Sequence, residues 1–172
     1  MSVFIVKESG SGKPDANTYA DAVDGDTYFA GHLYAAAWEA ATLERKNAAL
    51  VMATRLIDSL YQFRGIKRRE QQSLQWPRMQ SPDPDNGGFL PHDAVPKGVF
   101  EATCEMAREL LILDRTAAPP GEGLKYENLG PNQLGFSKDD VRPIISHVAQ
   151  AMLAKYGVSV KKKSGSVPLV RT

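Results

Sequence analysis

Apolar residues recur at spacings of three and four in two long stretches, and this period predicts two core helices. The first runs from about residue 43 to 63 behind Thr42, which can cap it. The second opens with the segment 91–96, where Asp93 can cap and Pro96 suits the first turn, and it ends near residue 113. The predicted inward positions are Leu50, Ala53, Thr54, Ile57, Leu60 and Tyr61 in the first, and Val99, Ala102, Thr103, Met106, Leu110 and Leu113 in the second.

Charged residues occupy the remaining positions of these two helices. On the first, Glu44, Arg45, Lys46, Arg55 and Asp58 are expected to form a solvated face. On the second, Glu101, Glu105, Arg108 and Glu109 lie away from the apolar side.

Two shorter helices are predicted on either side of this pair. One covers about residues 22–32 behind Asp21, and the other runs from Arg142 or Pro143 to about Tyr156, with Gly157 as its terminator. Their predicted inward residues are Val23, Tyr28, Phe29 and Leu33 in the first, and Ile145, Val148, Ala149 and Met152 in the second. The predicted fold class is mainly α: a small helical bundle with a short β-hairpin-like excursion and extended N- and C-terminal arms.

Turn-forming residues divide the chain into three parts. Residues 1–16 form an N-terminal arm, residues 17–157 form the helical domain, and residues 158–172 form a C-terminal tail. Within the domain, Pro, Asp and Gly mark a surface loop at 77–92, and a Pro/Gly-rich link opens the hairpin-like excursion at 117–138. The glycine-rich stretch 9–14 lacks the spacing of a phosphate loop, so it is interpreted as a flexible hinge.

Composition excludes several classes of protein. The chain has 172 residues, of which 42% are hydrophobic, and its 21 Lys and Arg against 20 Asp and Glu give a net charge of +1. This balance gives no overall attraction to nucleic acid or to an anionic membrane.

The single cysteine, Cys104, cannot form an internal disulfide and is expected to pack in the core, which suits synthesis in a reducing cytoplasm. No stretch resembles a signal peptide or a membrane span, so membrane association is not expected.

No motif for catalysis or for cofactor binding is present. His32, His92 and His147 lie on separate elements, without the spacing of a metal site. The run of Asp, Pro, Asn and Gly at 83–88 is commoner as turn chemistry than as a cation site. We therefore expect a protein without metal or cofactor that is not an enzyme.

A basic cluster near a tryptophan leaves a nucleic-acid function open. Arg64, Lys67, Arg68 and Arg69 could hold phosphates while Trp76 stacks on a base. The other interpretation, which the neighbouring Leu74 and Pro77 favour, makes Trp76 an anchor between a loop and the core. A second basic cluster, Lys161 to Lys163, lies in the tail.

Several short motifs in order resemble a tailed-phage family over about residues 15–156. They are Asn17-Thr-Tyr19 with 21–29, Ala48 to Leu50 with Ala53-Thr-Arg55 and Asp58, Trp76-Pro-Arg78, Asp93-Ala-Val-Pro96, and Ala102-Thr-Cys-Glu105. The family is often labelled DnaT-like single-stranded-DNA-binding protein, and its members resemble head-tail connector, or adaptor, proteins of virions. The added N-terminal arm and the long basic tail depart from the family pattern.

The resemblance implies a structural virion protein in the neck between head and tail, synthesised in the host bacterial cytoplasm. It implies a ring, commonly of twelve subunits, that joins the portal to a downstream neck or tail protein while phage DNA passes through. The alternative is a protein of phage replication that binds single-stranded DNA without sequence specificity.

Contact residues for these partners are expected from the residues themselves. The apolar end of the tail suits insertion into a partner's groove, and the surface loops suit contacts with neighbouring subunits or the tail side. The predicted portal or tail contacts are Val158, Val160, Lys161, Lys162, Lys163, Val167, Pro168, Leu169 and Val170, and the loop contacts are Asp83, Asp85, Tyr126 and Phe136.

Overall fold

The predicted mainly-α fold is confirmed by a computed structural model, which describes residues 3–117, 126–129, 132–135 and 142–160. The helices are α1 (Ala22–Phe29), α2 (Ala36–Glu39), α3 (Leu43–Leu60), α4 (Lys97–Ile112) and α5 (His147–Leu153). The strands are β1 (Tyr61–Phe63), β2 (Ile66–Lys67), β3 (Arg78–Met79), β4 (Tyr126–Leu129), β5 (Asn132–Gly135) and β6 (Gly157–Ser159). They form three antiparallel pairs, β1 with β6, β2 with β3 and β4 with β5.

The core lies between α3, α4 and α5. Helix α4 packs against both α3 and α5. Leu50 and Ile57 of α3, Val99 and Met106 of α4, and Leu153 of α5 belong to one core cluster and are fully buried. Each such side chain contributes about 1.5–3 kcal/mol by leaving water. The predicted hairpin in the excursion is present as β4 and β5, whose register pairs Tyr126 with Gly135.

Helix α1 is held by its cap and by a close contact with α2. The Asp21 carboxylate accepts from Asp24 N at 2.9 Å, and the Asp24 carboxylate accepts from Asp21 N at 2.9 Å, which makes a capping box. Trp38 packs so closely that a Cβ on Gly25 would lie 2.3 Å from its ring. The inward prediction is wrong for two residues, because Val23 and Leu33 are 74% and 92% exposed.

The end of α3 differs from the predicted boundary. The helix stops at Leu60 because Tyr61–Phe63 leaves it as β1 and pairs with Gly157–Ser159. Gly157 is therefore a strand residue, and a Cβ there would lie 2.6 Å from Gln62 O. The first residues of the predicted tail are thus part of the fold.

The starts of α4 and α5 also differ from prediction. Pro96, not Asp93, is the N-cap residue of α4, and no side chain caps that end. Helix α5 begins at His147 behind Ser146, later than predicted, because Arg115 binds the carbonyls of Pro143 and Ile144 at 2.7 and 2.9 Å. The hydrogen bonds from Arg115 hold Pro143 and Ile144 in a non-helical conformation.

The glycine-rich loop near the N-terminus is closed, so the hinge interpretation is wrong. The buried Glu8 carboxylate accepts from the N–H groups of Gly10, Gly12 and Lys13 at 2.7, 3.0 and 2.7 Å. The preceding segment pairs with the chain at Thr18, since Glu8 N donates to Thr18 O at 2.9 Å. A carboxylate of the chain itself therefore occupies the N–H groups that such a loop could offer to a phosphate.

Two charged positions predicted to lie outside are buried or half-buried, and two apolar positions predicted to face inward are exposed. Glu105 is 3% exposed and accepts from Tyr28 and Arg108 at 3.0 and 3.2 Å. Lys46 lies 5.1 Å from the centre of the Trp38 ring system, a cation–π contact that takes it out of the solvated face. Val148 and Leu113, both predicted to face inward, are 49% and 43% exposed.

Candidate nucleic-acid interface

The four basic residues of the predicted cluster lie together on the chain between β1 and the loop before β3. We call Arg64, Lys67, Arg68 and Arg69 the basic edge. The turn into β2 requires Gly65, which has φ +77° and whose Cβ would lie 2.4 Å from Met79 O.

Arg78, which is 8% exposed, holds the backbone under this edge. Its guanidinium donates to Arg64 O at 2.8 Å, Gly65 O at 2.7 Å and Gln75 O at 3.1 Å. Burial lowers the pKa of Arg78, and the negative charge of Asp58 opposes that shift. The planar fork of donors is needed here, because one cation binds three carbonyls at once.

Gln72 holds the other half of the edge and is also buried. Its side-chain oxygen accepts from Arg69 N at 3.0 Å, and its nitrogen donates to Leu74 O and Pro77 O at 2.8 and 3.1 Å. The backbone that carries Arg69 is thus fixed on the same core as Arg78.

The side chains of the basic edge divide into two pairs. Lys67 and Arg68 are half-buried and donate to backbone carbonyls, Gln72 O and Gly10 O respectively. Arg64 and Arg69 are exposed and form no ion pair among the described residues. Two cations are therefore presented to solvent on a fixed backbone.

Trp76 is fully buried, so the interpretation as an anchor is confirmed and the stacking interpretation does not fit this conformation. Its ring meets Phe63 at 5.5 Å and Tyr156 at 6.1 Å between centroids, both edge to face. The indole N–H has no hydrogen-bond partner among the described residues. Trp76 joins the loop to β1 and to the turn after α5.

A buried pair of side chains fixes the backbone beside Trp76. Tyr19 donates to Asp58 Oδ1 at 2.6 Å, and Asp58 Oδ2 accepts from Gln75 N at 2.9 Å. Tyr19 also accepts from Trp76 N at 3.1 Å. Burial raises the pKa of Asp58 to about 6, against the opposing effect of these bonds, and raises the pKa of Tyr19 well above its usual value. Asp58 is therefore a structural residue and not part of a solvated face.

Two predicted loop contacts lie on the surface. Asp83 accepts from the N–H groups of Asp85 and Asn86 at 2.9 and 3.2 Å, and the N–H of Asp85 is the main cause of the lowered pKa of Asp83. Asp85 accepts from Lys155 Nζ at 2.7 Å and so ties the loop to the end of α5. Contact with another chain through either residue stays a prediction.

The predicted tail contacts fall mostly beyond the described part of the chain. Val158 and Val160 are described, and their side chains are 57% and 55% exposed. Tyr126 is described by its backbone, in β4. The other predicted contacts lie outside the described residues: Phe136, Lys161, Lys162, Lys163, Val167, Pro168, Leu169 and Val170.

The described residues offer no second chemical site. They contain no group of three or more His, Cys, Asp or Glu side chains that could hold a metal ion. Cys104 is buried, and burial raises the pKa of its thiol, so it is not a nucleophile in this conformation. Among the helices of the described part, none is both long and apolar enough to span a bilayer.

Comparison with known families places the chain. Residues 3–172 match the family described as "Putative DnaT-like ssDNA binding protein". The match includes the N-terminal arm and the C-terminal tail, so the expectation that both depart from the family pattern is wrong. The chain belongs to that family. The comparisons with curated proteins and with solved structures gave no match. The label expected from the sequence motifs is thus confirmed, whereas nothing in the comparisons supports the connector assignment.

The sequence located the basic edge of this DnaT-like chain but not the residues that hold it. Arg78 and Gln72 stand in a polar connection and carry no periodic signal. Only the fold brings them under the basic edge, and only the fold joins Tyr19 to Asp58 across 39 positions. The one available signal was the pairing of Trp76-Pro77 with a following arginine.

Proposed function

We propose that this protein binds single-stranded DNA by its phosphates, without reading sequence, at the basic edge. The observation that carries the proposal is the pair of exposed cations, Arg64 and Arg69, on a backbone fixed by Arg78 and Gln72. The family description supports DNA as the partner. Phosphate contacts of this kind give affinity without sequence specificity.

The geometry supports weak, salt-sensitive binding. Because Trp76 is buried, stacking on its ring adds nothing, and a net charge of +1 adds little long-range attraction. Lys67 and Arg68 hold backbone carbonyls and contribute positive potential more than direct contacts. Neither a catalytic role nor a cofactor is part of this function.

The test is a salt titration of the double variant Arg64→Gln/Arg69→Gln. Affinity for a labelled oligothymidylate is measured by fluorescence anisotropy at several salt concentrations. Loss of two phosphate contacts should reduce the slope of log K against log salt by about 1.4. The control is Arg45→Gln/Arg55→Gln, which removes the same charge from exposed positions of α3. An equal change in the control, or no binding by the unaltered protein at low salt, would refute the proposal.

A second candidate is the head-tail connector subunit that the sequence motifs resemble. The observation that favours it is a pair of adjacent, strongly exposed apolar residues, Leu33 at 92% and Tyr34 at 76%. A subunit enclosed by neighbours, a portal and a tail protein would cover such residues. In this function copies form a ring in the virion neck, commonly of twelve, and DNA passes through it.

Electron microscopy of particles from a phage lacking this gene distinguishes the two candidates. A connector predicts DNA-filled or leaked heads that accumulate apart from finished tails, with recovery on complementation. The single-stranded DNA-binding function predicts failure of DNA replication before heads form. Joined virions of normal appearance would exclude the connector.

A further inference from the structure

A groove of about 480 Å³ lies between the first half of α3 and the end of α4; most of its lining residues are apolar, and Arg45, Asp114 and Thr116 add polar groups. Ala48, Ala49 and Met52 line it from α3, and Leu110 and Ile112 line it from α4. Small side chains on α3 leave the space, and on the opposite wall Ile112 is 58% exposed. An apolar surface of this shape fits a short apolar segment of chain.

The face of α3 that lines the groove continues along the helix to Leu60, beside Val160, where the described chain ends. Ala49, Met52, Leu56 and Leu60 follow one another at spacings of three and four and therefore share one side of the helix. Val160, the last described residue, donates its N–H to Leu60 O at 2.8 Å. The chain thus leaves the described structure at one end of a stripe whose other end is the groove.

The segment after Val160 is long enough to reach the groove. Met52 and Ala48 precede Leu60 by eight and twelve positions, which places the groove about 12–18 Å along the helix axis. Val167 follows Val160 by seven positions and can reach about 23–25 Å when the chain is extended. A chain that turns back along α3 would therefore bring the residues after Val167 over the groove.

We propose that Val167, Pro168, Leu169 and Val170 bind the groove of their own chain. They are the apolar cluster of the twelve residues after Val160, and the intervening Lys161 to Lys163 and Ser164-Gly-Ser166 suit a solvated linker. Arg171 follows this cluster in the sequence, and its charge is opposite to that of the exposed Asp114 in the groove lining. Binding covers the exposed side chain of Ile112. This inference does not depend on the DNA function.

A paired-cysteine experiment in the full chain tests the proposal. Cys104 is buried, so two introduced cysteines report with little background. Ala48→Cys in the groove is combined with Leu169→Cys, and disulfide formation is followed under mild oxidation by non-reducing electrophoresis and peptide mass spectrometry. The matched control combines Leu169→Cys with Val23→Cys, which is 74% exposed on α1. Circular dichroism checks that both variants fold.

The proposal expects an intramolecular disulfide between positions 48 and 169 that forms at least about tenfold faster than the control pair, because docking raises the local concentration of the two thiols. Equal rates for the two pairs would overturn it. A disulfide that joins two molecules would also overturn it and would assign the groove to a second copy. A portal that binds the same four residues would have to compete with the groove.

Discussion

Replacement of Arg78 by lysine tests whether the basic edge depends on the buried guanidinium. Arg78→Lys keeps one positive charge at the site, but a lysine ammonium cannot reproduce the planar fork that binds Arg64 O, Gly65 O and Gln75 O. We therefore expect two of these three bonds to be lost, which leaves two part-buried carbonyl groups without this donor.

The magnitude follows from the number of bonds. A hydrogen bond to a charged group contributes about 1.5–3 kcal/mol, so the loss of two should lower the free energy of unfolding by about 3–6 kcal/mol. This is a large part of the stability of about 5–15 kcal/mol that is usual for a domain. The site is 8% exposed, so water can replace little of the loss.

Urea unfolding followed by tryptophan fluorescence and far-ultraviolet circular dichroism measures this change. The control is Arg55→Lys, an exposed position on α3, where a change below about 0.5 kcal/mol is expected. At temperatures where Arg78→Lys remains folded, its affinity for single-stranded DNA should also fall, since Arg64 loses its fixed backbone while the total charge is unchanged. A loss of stability below about 1 kcal/mol would refute the reasoning.

Two further predictions concern buried contacts elsewhere in the domain. Burial raises the pKa of Asp58 to about 6 in the folded state, so its contribution to stability is present below about pH 4 and is lost as the pH rises to 6. Urea titrations of the unaltered protein should therefore show the free energy of unfolding decline by up to about 3 kcal/mol over that range, and Asp58→Asn should remove the decline. An unchanged pH profile in the variant would contradict this. Gly25→Ala should lower the free energy of unfolding by about 1–3 kcal/mol, since the added Cβ would lie 2.3 Å from the Trp38 ring. The control Gly31→Ala places a Cβ with nothing within 4 Å and should change stability little. Equal effects of the two substitutions would count against the contact with Trp38.

Periodicity located the helices because burial of an apolar stripe has the same period as the helix. The predicted starts and ends of α3 and α4 agree with the structure to within a few residues at each end, and Thr42 caps α3 as expected, with Arg45 N donating to its hydroxyl at 3.4 Å. Composition and motif order also sufficed for the family, which the match over residues 3–172 confirms.

The tertiary structure decided which polar residues are structural. Asp58, Glu105 and Arg78 look like surface charges in the sequence, yet each is held by partners distant in the chain or by backbone carbonyls. The pattern of apolar and polar residues in a local stretch of sequence indicates the period of one helix or strand. It does not indicate which distant residues a side chain contacts in the fold. For the same reason, the sequence placed Trp76 beside four cations, and only packing against Phe63 and Tyr156 showed that its ring is not available to DNA.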